Sequence, residues 1–397
     1  MRTAAALSRT EEPGLAAVEA ADAAAVALDR VSGVDAAVCH LAVVFVTPDH
    51  AAALESVAAA VEARLEPGVL VGAVAQGVIG PGEEVEVGPA VSVFVAHLGD
   101  GFAQPFRAWA LRPSGGTLAV AGWPDTDPGD VTLVLADPLS FPTREVVARV
   151  SAQRPDRPLI GGLVTGGPGR SRFVLDGRVH DDGAVGVVLR DVPIETVVSP
   201  GCRPIGDPLT VTGVAEDRIV SLAGQPALER LDAALDQIDP ADGELLRRGG
   251  LHLGIVVDEV QDAYEPADLL VRPVVGVDAD EGWFTVGEVV EVGSIVQFQV
   301  RDAGTAASDL THRLAAVGPA AGSLLFSCTA RGSHLFDTPD HDVSSVERAV
   351  GGAVAGAFCA GEIGPVGHRS YLHTSSASVA IFGQDGNRDR DRDRRSG

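Results

Sequence analysis

One pattern is written four times between residues 41 and 382. Each copy has a β-branched apolar run, a polar or helical stretch, a second apolar run that passes into glycine, and a third, alternating run. The first copy reads LAVVFVTPDH, LVGAVAQGVIG and SVFVAHL, and the second VTLVLADPLS, LIGGLVTGG and VGVVLRD. The third reads LGIVVDEV, VVGVDADEG and IVQFQVRD, and the fourth SLLFSCTARG, VAGAFCAGEIG and SASVAIF. From the first run to the glycine the steps are Leu41 to Gly72, Val131 to Gly161, Leu253 to Gly276 and Ser323 to Gly356, or 31, 30, 23 and 33 residues. The third copy is the short one. Repetition on this scale sets the architecture before any motif is considered.

Continuous apolar runs fit strands buried on both faces. The stretches HAAALESVAAAVEARL (50–65) and FPTREVVARVSAQ (141–153) carry helical periodicity, so each copy reads as a strand-helix-strand crossover that covers a sheet. The third run follows closely and is expected to pair antiparallel with the second. The expected fold class is α/β, of mixed α+β character: two related halves of mixed β-sheets covered by helices, built from four strand-helix-strand-strand repeats. The expected segments are an N-terminal helical leader (1–38), a first domain (39–222), a second domain (223–382) and a disordered tail (383–397). In the leader, LAAVEAADAAAVALDRVSG reads as a helix ending near Gly33. The domain boundary is placed near 222–230, after strands punctuated by Pro204, Gly206 and Pro208 and before a helical stretch that breaks at Asp239-Pro240. The tail alternates Asp and Arg and has no apolar face to bury. It is either without a role or a docking or solubility segment.

Composition removes several function classes. The formal net charge of -25 repels phosphate backbones, so nucleic-acid binding is not expected. The chain contains no lysine, which excludes a P-loop, a pyridoxal Schiff base and a lysine nucleophile. No apolar stretch is long enough for a membrane span, and the Ala-rich N-terminus is interrupted by Glu11, Glu12, Glu19 and Asp22 rather than ordered as a signal peptide. Four cysteines in 397 residues do not make a disulfide scaffold. A cytoplasmic protein without a cofactor is the expectation. The loop GGPGRSR (166–172) does not have dinucleotide spacing, and reads as a connection or as an anion nest near Arg170 and Arg172. The cluster SHLFDTPDHD, with His334, Asp337, Asp340, His341 and Asp342, reads as a solvated loop or as a set of metal ligands. Asp342 is the expected N-cap of the helix that follows.

The fourth copy carries the candidate site. Cys328 closes its first strand, with Arg331 three residues on; Cys359 closes its second, with Glu362 three residues on. Ligands of α/β sheets sit beyond the carboxyl ends of strands. If these two strands are neighbours, Cys328, Arg331, Cys359 and Glu362 share a rim. Gly361 and Gly364 permit close approach, and His373 and Thr374 add hydrogen-bonding groups. An arginine holds a carboxylate and a glutamate an ammonium, which together suit a zwitterion such as an amino acid. The competing reading is structural: buried small cysteines and an Arg331–Glu362 salt bridge.

Here the sequence resembles the FIST family, with FIST N-terminal and FIST C-terminal domains in tandem. The resemblance rests on LAVVFVTPDH, VLVGAVAQGVIGPGEEVE, LIGGLVTGG and GAVGVVLRD, then on RPIGDPLTVT, VRDAGTAASDL, LLFSCTARG, AGAFCAGEIGPVG and YLHTSSASVAIF. Together these cover about residues 40–382. Ala73 stands where the family often has Cys, which weakens a shared thiol role there. The resemblance implies a sensory, signal-transduction module that binds a small ligand, proposed in the family to be an amino acid or derivative, and it carries over no catalytic residues. No kinase, receiver, cyclase or F-box segment is legible in the chain, so the output is expected to pass through a separate signalling partner or a change in a homo-oligomer. Two other readings stand beside the sensor: an enzyme using Cys328 or Cys359 as nucleophile or redox pair, and a protein-interaction scaffold.

Overall fold

The computed structural model describes residues 1–33, 37–111, 118–166, 171–236, 238, 240–257 and 269–383. Arg170 and the tail beyond residue 383 lie outside them, as does the Asp239 half of the expected helix break. The chain begins with a strand, β1 (Arg2–Ser8), before the helix α1 (Pro13–Ser32). The expected helical leader is corrected there: Ala4–Ala6 have helical propensity, but antiparallel pairing with a later strand overrides it. The helix ends as expected, with Gly33 left-handed and its N–H donating to Asp29 O.

The first copy forms β2 (Leu41–Val46), α2 (Leu54–Leu65), β3 (Val69–Val74), the hairpin β4 (Val78–Gly80) and β5 (Glu83–Val85), and β6 (Val91–His97). After β7 (Phe102–Leu111) and β8 (Ala119–Ala121), the second copy forms β9 (Val131–Ala136), α3 (Thr143–Gln153), β10 (Leu159–Leu163), the hairpin β11 (Phe173–Leu175) and β12 (Arg178–His180), and β13 (Ala184–Arg190). A linking strand, β14 (Ile194–Pro200), follows. The next stretch holds β15 (Cys202–Ala215), β16 (Arg218–Leu222), β17 (Gln225–Pro226), α4 (Ala227–Leu235) and α5 (Pro240–Gly249). The third copy is β18 (Leu251–Val256), β19 (Leu269–Pro273), β20 (Gly276–Asp278), β21 (Trp283–Thr285) and β22 (Ile295–Arg301), followed by α6 (Ala303–Val317). The fourth is β23 (Gly322–Cys328), α7 (His341–Val350), β24 (Ala353–Cys359), the hairpin β25 (Glu362–Val366) and β26 (Arg369–His373), and β27 (Ser376–Phe382).

Copies one, two and four are built alike. The first and second strands pair in parallel across a helix, as β2 with β3, β9 with β10 and β23 with β24. The third strand returns antiparallel to the first, as β6 to β2, β13 to β9 and β27 to β23. This corrects the expected pairing of third with second strand. The second strand's other edge is taken by a hairpin from a different copy: β11 pairs with β3, β4 with β24, and β25 with β10. Each copy therefore donates one hairpin and receives one, in a closed cycle. Edge strands that would otherwise be open templates are covered by this exchange.

The glycine of each second run follows from the same pairing. Gly72, Gly161 and Gly356 lie opposite Val44, Val134 and Leu325 in the parallel ladders. A Cβ at these glycines would stand 2.0, 2.0 and 1.8 Å from the carbonyl oxygens of Val44, Val134 and Leu325. No side chain fits there, so the periodic glycine of the sequence is a close backbone approach repeated three times.

The chain divides into two compact units that do not follow its sequential halves. The first holds Met1–Val198, Thr311–Leu372 and the described residues from Ala377 onward. Hairpin exchange stitches copy four to copies one and two. The inner faces of three sheets meet in one core containing Phe45, Phe94, Leu133, Val187, Phe326 and Phe382. Within it Phe45 meets Phe326 edge-on at 6.1 Å between centroids. The outer face of the first sheet is covered by α1 and α2, where Ala16, Ala17, Ala20, Ala21 and Ala24 let the helix lie close.

The second unit, Ser199–Leu310 with His373–Ser376, contains the short third copy. There β18 and β19 pair antiparallel rather than parallel, and the β20–β21 hairpin stays on β16 of the same unit. Gly276 sits in that hairpin, not in a parallel ladder. The helices α4 and α5 pack Leu231, Leu245 and Leu246 against Phe284 and Phe298.

Candidate functional site

The strand tips singled out by the sequence are neighbours. Cys328 and Cys359 are register partners in the parallel β23–β24 pair. Both are buried, and neither is in a disulfide. Burial, followed by the nearby Glu362 and Cys328, pushes the Cys359 thiol well above its ordinary range. That is the opposite of what an activated nucleophile needs. Gly162 of β10 is packed against it, since a Cβ there would stand 2.4 Å from the Cys359 sulfur.

The open rim expected around Arg331 and Glu362 is closed instead. Neither side chain has any exposure. Arg331 Nε donates to Asp342 Oδ2 at 2.7 Å and Nη2 donates to Oδ1 at 2.8 Å. Ser327 Oγ donates to the same carboxylate at 2.8 Å, and the His341 ring lies 3.0 Å from Oδ1. Burial alone would raise the Asp342 carboxyl, but the Arg331 charge and these hydrogen bonds hold it well below the usual carboxylate range. Arg331 Nη1 is enclosed without a hydrogen bond and presents nothing to solvent. The guanidinium also lies 5.2 Å from the Phe336 ring, on which His341 stacks. Arg331 is thus paired with Asp342, and the Glu362 charge acts on it as well. Asp342 lies in the first turn of α7 rather than capping it; Asp340 occupies the cap position.

The remaining expected residues are divided between the two units. Gly361 is buried, and its carbonyl accepts from the Leu163 N–H at 2.8 Å. Gly364 faces Val198 and Ser378, which a Cβ would meet at 2.4 and 2.6 Å. His373 and Thr374 belong to the second unit, where Thr374 Oγ1 donates to Val271 O at 3.2 Å. Among the described residues no group of His, Cys, Asp and Glu is arranged to hold a metal ion. In the 334–342 cluster Asp342 holds Arg331, and Asp340 Oδ1 accepts from the Glu84 N–H at 2.7 Å.

A cleft of about 410 Å³ lies beside these tips. Its lining comes from just past β2 (Pro48), β3 (Gln76, Gly77), β5 (Glu86), β10 (Gly166) and β23 (Thr329, His334), with Phe358 of β24. Three copies thus contribute the carboxyl ends of their core strands to one hollow, the placement at which α/β sheets take ligands. Thr329 follows Cys328 and Phe358 precedes Cys359, so the cleft is lined by the neighbours of the two cysteines named from the sequence. Gln76, just past β3, carried no sequence signal, and neither did Glu86, which follows a hairpin exchanged by long-range pairing.

That hairpin is latched to the fourth copy by carboxylate–backbone hydrogen bonds. Gly82 N donates to Glu347 Oε1, Val343 N to Glu84 Oε1 and Ser333 N to Glu86 Oε1, each at 2.8 Å. Burial, then the Asp342 charge, pushes the Glu84 carboxyl up to about 8.

The FIST N domain matches residues 40–225 and the FIST C domain residues 227–365. The chain is 41% identical over 371 residues to an uncharacterized protein of Mycobacterium tuberculosis, Rv0628c, covering 91% of this chain and 95% of that relative. It is 38% identical over 394 residues to another, Mb0898c of Mycobacterium bovis, covering 97% and 100%. No helix among the described residues is long and apolar enough to cross a membrane. The chain belongs to the FIST family, with its N and C domains in tandem.

Proposed function

We propose that this protein is a sensory component of signal transduction that binds a small molecule, an amino acid or a derivative of one, in the cleft at the ends of β2, β3, β10 and β23. A separate signalling protein reads the bound state. The observation that carries the reading is the cleft itself, about 410 Å³, with an amide, a hydroxyl, an imidazole and a carboxylate over an aromatic wall. That volume is in the range of small-ligand sites, and four polar side chains converge on it beside the Phe358 ring. The membership in a family associated with sensory roles supports it. Neither catalysis by Cys359 nor a zwitterion clamp at Arg331 is favoured, because burial pushes the Cys359 thiol well above its ordinary range and Arg331 is engaged by Asp342.

A thermal-shift screen of amino acids and related metabolites on the purified protein tests it. A true ligand at a hundred times its Kd stabilises the fold by ~2.7 kcal/mol. Filling the cleft with Thr329→Trp should abolish the shift. A shift that survives this substitution would place the ligand elsewhere.

A further inference from the structure

We propose that the cleft selects its ligand by a cationic nitrogen, held by Glu86, and that a free carboxylate on the ligand is dispensable; this rests on the cleft being the ligand site. Among the described residues the lining offers the carboxylate of Glu86, the imidazole of His334, the amide of Gln76 and the hydroxyl of Thr329, and no guanidinium. The chain has no lysine. The nearby arginine, Arg331, is enclosed and forms a bidentate pair with Asp342. Among the described residues the lining therefore has no planar cation to clamp a ligand carboxylate.

Glu86, by contrast, is already positioned. Its Oε1 accepts from the Ser333 N–H at 2.8 Å and its Oε2 from Ser333 Oγ at 2.9 Å. Each oxygen retains a further acceptor site for a ligand N–H. The loop closes this tightly because residue 332 is glycine: its φ is +51°, and a Cβ would stand 2.7 Å from Glu86 Oε1. Phe358 adds an aromatic ring to the same lining, which attracts a cation and packs on an apolar ligand body. The net charge of -25 raises the local concentration of cations and repels anions. The ligand class is a small primary amine with an apolar or aromatic body, so a decarboxylated, amidated or esterified amino acid fits better than the free acid.

Isothermal titration of the full chain with a matched series decides it: phenethylamine, phenylalanine, N-acetylphenethylamine and 3-phenylpropionate. Phenethylamine should bind tightest, phenylalanine no better, and the two probes without an ammonium at least tenfold more weakly. Glu86→Gln, which keeps an oxygen for Ser333, should weaken phenethylamine at least tenfold. The proposal is overturned if 3-phenylpropionate or the N-acetyl probe binds as well as phenethylamine, or if Glu86→Gln leaves the amine's Kd unchanged. It is also overturned if phenethylamine shows no saturable binding up to about 10 mM, since that is the scale of only ~3 kcal/mol of affinity. Carboxylate binding abolished by Thr329→Trp but indifferent to Glu86→Gln would sink the cation and keep the cleft. Binding indifferent to Thr329→Trp would remove the cleft itself.

Discussion

Separating the Arg331–Asp342 pair should be among the most damaging changes this chain can suffer. The two side chains have 0% and 1% exposure and share two charge-assisted hydrogen bonds, at 2.7 and 2.8 Å. Arg331→Met leaves the Asp342 carboxylate buried, still touched by Ser327 and His341 but without a counter-charge from the guanidinium. Asp342→Leu leaves a buried guanidinium without its counter-charge. Each single change should cost ~3–5 kcal/mol, the penalty for an uncompensated buried charge. The double variant, which removes both charges and keeps apolar volume, should cost far less than the sum, because such pairs are often replaceable by packed hydrophobic residues. Urea unfolding followed by circular dichroism, as a double-mutant cycle, measures this as a coupling of several kcal/mol. Single variants that each cost less than ~1 kcal/mol, or a double variant that is simply additive, would refute the reasoning. The same variants bear on function. The double variant should still bind ligand in the cleft, whereas a carboxylate clamp at Arg331 requires that it cannot.

Three further expectations follow from neighbouring features. The Glu84 carboxyl, raised from an ordinary 4.5 to about 8, binds its proton more tightly in the folded chain than in the unfolded one. The stability it confers is complete below the unfolded value and is lost as pH rises through about 8. Stability should therefore fall between these values by up to ~1.4 kcal/mol per pH unit, and Glu84→Gln should flatten the slope; parallel curves for the two proteins would contradict this. Gly356→Ala drives a Cβ into the Leu325 carbonyl at 1.8 Å and should destabilise by more than ~3 kcal/mol or leave the protein insoluble; a folded variant with an unchanged urea midpoint would show that the β23–β24 approach is looser. Cys359 should resist iodoacetamide at neutral pH until the chain is unfolded, and mass spectrometry showing fast labelling of Cys359 in the native state would revive thiol chemistry.

Much of the fold was legible because it is local. The four apolar runs, α1 ending at Gly33, and the helices at 54–65 and 143–153 are written in periodicity and caps over short spans. The position of Gly72, Gly161 and Gly356 was legible too, although its cause, a partner-strand carbonyl within 2.0 Å of where a Cβ would stand, is visible only in the pairing. What escaped is what depends on distant partners. The first residues became a strand because β6 was there to receive them. The hairpin after β3 crosses to β24, and the hairpin after β24 crosses to β10, so spatial units cut across the sequential halves. The candidate site divides in the same way. Its strand tips could be read from apolar runs ending in Cys328 and Cys359, but the partner of Arg331 and the arrival of Glu86 depend on a helix start and an exchanged hairpin.

The central claim is that three copies, by exchanging hairpins, build one ligand cleft at the ends of their core strands. Hydrogen exchange of the full chain with and without a bound amine tests it most directly. Ligand should slow exchange of the amides around 76–78, 86 and 329–334, and leave the segment 373–375 and the β18–β19 pair unchanged. Protection that appears at 373–375, or nowhere in the first unit, would contradict the account.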